Sequence, residues 1–218
     1  MNCLLVAATV KEISPFLDYY RTTEKNWHPD LSIDVLITGI GLTATTYHLT
    51  KHFIIKKPDF VVQAGVAGCF EKKLPLGSVV FIKQDAIADE GVVELKKLRT
   101  LFDLHLVPKN QFPYKKGWLI NPGNELVKKS KLKTVKGISI NQVTTSKQLI
   151  QFYKDKFAPV TESMEGAALH YVCLMEKIPF LQIRSISNYI GERNKMNWKM
   201  KESIINLNKE LIRLLQTI

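Results

Sequence analysis

Short runs of Val, Ile and Leu recur along the chain between longer segments of helical period, and each run stops at a glycine or a small polar cluster. The runs are CLLVAA (3–8), IDVLITGIG (33–41), DFVVQAGVAG (59–68), GSVVFIKQDAIA (77–88), GISINQV (137–143), PVTES (159–163) and PFLQIRSISN (179–188). They are too short for membrane spans and are bounded by turn residues, so they read as buried strands. Helical spacing fills the gaps: VKEISPFLDYY (10–20), with Pro15 in its first turn at most, TATTYHLTKHFII (43–55), KQLIQFYKDK (147–156), MEGAALHYVCLMEK (164–177) and the closing WKMKESIINLNKELIRLLQTI (198–218). That alternation predicts a layered α/β domain. Residues 89–135, with Pro108, Pro113 and Pro122, follow neither period.

A chain of 218 residues that is 45% hydrophobic can bury one sizeable core without metal or disulfide staples. We read 1–218 as one domain, with no internal repeat and no linker. Cys3, Cys69 and Cys173 are odd in number, far apart and set in apolar stretches, which fits a reduced interior. The opening MNCLLVAATV has neither a basic leader nor a cleavage pattern, so a cytoplasmic protein with no membrane association is expected. The net charge of +11 raises the question of nucleic acid. Its distribution answers against it: the lysines fall in scattered pairs, and the densest run, KKSKLKTVK (128–136), has no interleaved aromatic residues. A weak attraction for small anions is the better expectation.

Several motifs carry less than they suggest. GIGLTA (39–44) has the form of a dinucleotide turn. The acid it would need, Asp59, falls at the start of the next strand instead of beside the turn, so the glycines are expected to let backbone approach another group closely. His48 and His52 have zinc spacing but lack a third ligand, and no thiol has a basic neighbour. No metal and no cofactor are expected. What remains is a set of strand ends with polar groups: Glu12, GVAG (65–68), NQVTT (141–145), SMEG (163–166) and Ser187-Asn188. In an open α/β sheet such loops gather at one crevice.

Taken in order, AATVKEI with Glu12, TGIG (38–41), QAGVAGCF (63–70), ESMEGAALHYVC (162–173) and IPFLQIRSISN (178–188) resemble the purine nucleoside phosphorylase and nucleosidase superfamily, in its nucleosidase branch. Within that branch SMEGAAL and RSISNYIGERNKMNWKM resemble the futalosine hydrolase family, whose members release hypoxanthine from futalosine in menaquinone biosynthesis. The resemblance implies a three-layer αβα sandwich around a central mixed sheet. It implies Glu12 as the water-activating base and Asn188 as the group on the purine. It further implies Glu165 on the ribose hydroxyls with Met164 against the sugar, and Ala67, Gly68, Val143, Thr144 and Ser163 lining the pocket. Glu162 is left to a helix start, and the GERNKMNW segment either supplies Arg193 or Lys195 to a 5′ carboxylate, with Trp198 stacking on the ring, or is a solvated loop entering the last helix.

The resemblance also implies a homodimer or higher homo-oligomer. Phosphorolysis competes with hydrolysis, but it needs cations around phosphate. Of the five arginines, Arg21 and Arg99 are not placed at the crevice, Arg184 lies inside a strand and Arg213 in the last helix, and the first loop offers Glu12, which would repel phosphate. Asn188 departs from the Asp of adenine-directed nucleosidases, which favours a 6-oxopurine and leaves an adenine-directed enzyme as the alternative.

Overall fold

The computed structural model describes residues 1–23, 30–94, 97–123 and 125–217. Its first half runs β1 (Asn2–Ala7), α1 (Val10–Thr23), β2 (Ser32–Ile37), α2 (Leu42–Ile55), β3 (Phe60–Cys69) and β4 (Val79–Asp85). The stretch that follows neither period holds short pieces: a hairpin of β5 (Gly91–Glu94) and β6 (Lys97–Thr100), then β7 (Tyr114–Lys115), β8 (Trp118–Ile120) and α3 (Glu125–Ser130). The chain ends with β9 (Lys133–Ser139), α4 (Lys147–Phe157), β10 (Thr161–Ser163), α5 (Gly166–Glu176), β11 (Phe180–Tyr189) and α6 (Met200–Leu215). Several boundaries differ from the pattern reading by two to four residues, two of them by extension of an element. α1 continues through Pro15 to Thr23, and β9 starts four residues early because Lys133–Lys136 pair with β4.

Among the described residues, nine strands share one mixed sheet. β1 lies parallel to β2 and β3, and β3 lies parallel to β11. β11 runs antiparallel to β4, β4 and β10 run parallel to β9, and β10 turns antiparallel onto β3. Strands β3, β11, β4, β9 and β10 therefore close into a ring, with β1 and β2 extending from it on one side and β8 and β7 on the other. The strands near the middle are apolar on both faces because both are covered. In β1, Cys3, Leu5 and Ala7 pack with Phe16 of α1 and Leu207 and Leu211 of α6. The alternate residues Leu4 and Val6 pack with Leu49 of α2 and with Leu169 and Val172 of α5. This is the expected αβα sandwich. All three cysteines are free and buried, and among the described residues no helix is long and apolar enough to cross a membrane.

Candidate active site

Because β1, β2, β3 and β11 run parallel, their C-terminal ends and the loops after them meet at one edge of the sheet. There they wall a cavity of about 500 Å³ lined by Glu12, Glu165 and Asn188 among others. The three residues come from α1, the start of α5 and the end of β11, and chain topology alone brings them together. A second cavity of about 530 Å³, lined by Phe112, Tyr114, Leu174 and Ile178 among others, has no carboxylate in its wall. Its titratable lining groups are Tyr114, Lys115, Cys173 and Lys177, so it lacks the paired carboxylates of the first cavity.

Glu12 is fixed by the way α1 begins. Thr9 precedes the helix and Glu12 is its third residue, the spacing at which an acid folds back on the free N–H at the helix start. Glu12 Oε2 accepts from Thr9 N at 3.0 Å and from Thr9 Oγ1 at 3.2 Å. Oε1 accepts from Val66 N on β3 at 3.1 Å. A buried carboxylate on the cavity wall is thus held in one orientation by donors from two elements.

Glu165 lies just ahead of α5 and is 6% exposed. Its Oε1 accepts from Gly41 N at 3.2 Å, so the close backbone approach expected of the GIGLTA turn is to this carboxylate. Gly41 makes the approach with φ of 99°, a backbone conformation costly for any residue with a side chain. Arg184 Nη2 stands 3.5 Å from Glu165 Oε2 and donates to Gln63 Oε1 at 3.0 Å. Burial raises the Glu165 pKa, and Arg184 and the Gly41 N–H pull it back.

Sequence reasoning read Arg184 only as a residue inside a strand, yet its guanidinium lies beneath the crevice, 1% exposed. It comes there because β3 has a glycine at 65. A Cβ on that residue would collide with Arg184 Nη1 and stand 3.0 Å from Glu12 Oε1. Guanidinium and carboxylate both crowd over this bare backbone, which makes a row of Glu12, Arg184 and Glu165. The signal was present in PFLQIRSISN: a charge in a strand covered on both faces needs a buried partner.

Asn188 owes its direction to a register shift in β11. Ile186 pairs with Ala67 and Asn188 with Gly68, so one extra residue sits between them and the strand is re-aimed there. Its Oδ1 accepts from Ser187 Oγ at 2.9 Å, and Nδ2 donates to Tyr189 O at 3.3 Å. One N–H of the amide is left for a ligand.

Ala67, Gly68, Val143, Ser163 and Met164 also line this cavity. Thr144 is buried and donates its N–H to Glu162 Oε1 at 3.2 Å, outside the lining itself. Arg193 belongs to the exposed turn after β11 and is absent from the wall, where Trp198, Met200 and Lys11 stand instead. Glu162 is not a helix-start residue: it lies within β10 and lines the cavity. The residue that caps α5 is Glu165, without a side-chain capping bond. Asp59, far from this edge, accepts from Asn2 N.

Comparison with known proteins matches residues 30–218 to the phosphorylase superfamily. The chain is 27% identical over 185 residues to a futalosine hydrolase of Thermus thermophilus, covering 83% of this chain and 80% of that one. It is 24% identical over 216 residues to a 5′-methylthioadenosine/S-adenosylhomocysteine nucleosidase of Buchnera aphidicola, covering 94% and 86%. A solved structure of a futalosine hydrolase from Helicobacter pylori superposes with a TM-score of 0.82 at 21% identity, covering 100% of this chain and 98% of that one.

Proposed function

This chain belongs to the phosphorylase superfamily and is a nucleosidase, and on that premise we propose that it hydrolyses the N-glycosidic bond of futalosine, releasing hypoxanthine. The observation that carries the reading is the meeting of Glu12, Glu165 and Asn188 on one cavity. As the C1′–N9 bond breaks, its electron pair moves onto the purine and positive charge grows on the ribose. Glu165 holds the ribose hydroxyls and stabilises that charge. Glu12 takes the proton of the attacking water as its oxygen bonds to C1′. The free N–H of Asn188 donates to N7 or O6, where the departing electrons collect.

Water is the favoured nucleophile because the cation below the cavity is already committed. Arg184 is engaged by Gln63 and Glu165 and takes no part in the wall, so it is a poor phosphate anchor. The assay for the whole reading incubates the protein with futalosine, inosine and methylthioadenosine, with and without phosphate, and identifies base and sugar products. Free ribosyl product from futalosine, independent of phosphate, supports it; adenine release alone, or a sugar phosphate, overturns it.

Two variants refine the substrate. Asn188→Asp replaces the amide donor by an acceptor when ionised; it should lower kcat/KM for futalosine by about tenfold or more, the loss of a hydrogen bond to developing charge, and raise it for methylthioadenosine. An unchanged ratio of the two rates would remove Asn188 from base recognition. At the mouth of the cavity Lys11, with Ile40, Trp198 and Met200, is the cation available to a 5′ carboxylate. Lys11→Ala should raise KM for futalosine by about three- to fivefold and leave inosine within twofold, as a solvent-exposed ion pair of up to about 1 kcal/mol requires; equal effects on both substrates would count against it.

A further inference from the structure

Glu162 is unusual among the acids of this chain. It is 5% exposed, lies in the middle of a three-residue strand and forms part of the cavity wall. Oε1 is held by Thr144 N at 3.2 Å, while Oε2 has no hydrogen-bond partner among the described residues. Burial raises its pKa, against the pull of Thr144. A buried carboxylate oxygen without a donor is costly unless a ligand supplies one.

Strand register says which part of a ligand that would be. Glu162 pairs with Gly68 across β10 and β3, and Gly68 pairs with Asn188 across β3 and β11. Paired residues project from the same face, so Glu162 and Asn188 flank a glycine at two strand spacings, about 10 Å apart. At Gly68 a Cβ would collide with Ile190 Cδ1 and come to 3.5 Å of Asn188 Nδ2. Only a bare backbone leaves a flat slot between the two polar side chains, with Ile190 and Val143 also in the wall.

We propose that Glu162 is a specificity-determining residue that accepts the N1–H of a 6-oxopurine lying over Gly68, opposite the amide of Asn188. This rests on the nucleosidase reading above and deepens it, because it names which purines the site takes. A 6-oxopurine has a donor at N1 and acceptors at O6 and N7, matching a carboxylate on one side and an N–H on the other. A 6-aminopurine has an acceptor at N1 and a donor at its amine. Its N1 lone pair would face the carboxylate, and the buried groups would be left unpaired. Sites built on such pairing reject the wrong partner strongly.

The test measures binding of free bases by calorimetry, so it does not depend on turnover. The wild-type protein should bind hypoxanthine at least tenfold more tightly than adenine and than 1-methylhypoxanthine, which has no N1–H. Glu162→Gln, checked for folding by thermal melting, can turn its own N–H toward N1. It should weaken hypoxanthine about tenfold and tighten adenine, and the adenine gain is an effect that mere loosening of the wall would not give. Equal wild-type affinities for hypoxanthine and 1-methylhypoxanthine overturn the proposal without any variant, as does an unchanged hypoxanthine-to-adenine ratio in Glu162→Gln. If the bases discriminate as stated but no nucleoside is cleaved, the catalytic reading fails and the recognition stands. If futalosine is cleaved but the bases do not discriminate, only this inference fails.

Discussion

Glu12→Gln is expected to lower kcat for nucleoside hydrolysis by about a thousandfold, within the range that a positioned general base contributes. The substitution is nearly isosteric, yet it removes the group we propose as acceptor of the proton of water. It also disturbs a fixed arrangement, since both carboxylate oxygens accept backbone N–H groups, from Thr9 and Val66. A glutamine has one acceptor oxygen, so its NH₂ must face one of those donors. The loss therefore has a chemical part and a positional part. Hypoxanthine affinity separates them, because the groups proposed to hold the base come from β10 and β11 and not from α1. Binding within about threefold of wild type, with turnover lost, places the defect at the water. Turnover within tenfold of wild type would remove Glu12 from catalysis.

How the site was legible differs from residue to residue. The strands could be read because they are covered on both faces, which leaves long apolar runs such as CLLVAA with no polar residue to break the pattern. The hairpin and short strands within 89–135 could not, since pieces of two to four residues show no period. Closure of five strands into a ring was also hidden, because it depends on β10 meeting β3 through only two register pairs. Glu12, Glu165 and Asn188 stood out as polar groups at strand ends, and the family resemblance gave their order meaning.

Glu162 was misjudged as a helix-start residue, whereas Arg184 was rightly read as inside a strand and only its reach to Glu165 was missed. Each lies inside a strand, and pattern reading treats a strand interior as structure and its end as function. In a ring of strands that rule weakens, because the wall of the cavity is made by the strands themselves. Arg193, in a loop near the site, is exposed and is not among the residues lining the cavity.

Arg184→Met tests the charge row beneath the cavity and should destabilise the protein by about 3 kcal/mol or more, the cost typical of removing one partner from a buried ion pair. Methionine keeps much of the volume but leaves Glu165 without its cation and Gln63 Oε1 without its donor. The pH dependence identifies the cause. Burial already lifts the Glu165 pKa above the usual 4.5, and Arg184 opposes that lift. Without the arginine the folded-state pKa rises further, so the folded protein holds its proton to higher pH than the unfolded chain does. A group raised in this way contributes stability at low pH that is lost as pH climbs through its folded value. Two neighbours respond in the same direction. Asp85, wholly buried with a pKa pushed up to about 6, is also lowered by Arg184. His170, held down at about 4, is pushed lower still by that cation. The deficit of Arg184→Met relative to wild type, measured by urea unfolding, should therefore be smallest near pH 4 to 5 and grow toward neutrality. A deficit constant across that range would mean that Arg184 serves by filling space, and its part in holding the Glu165 charge would have to be abandoned.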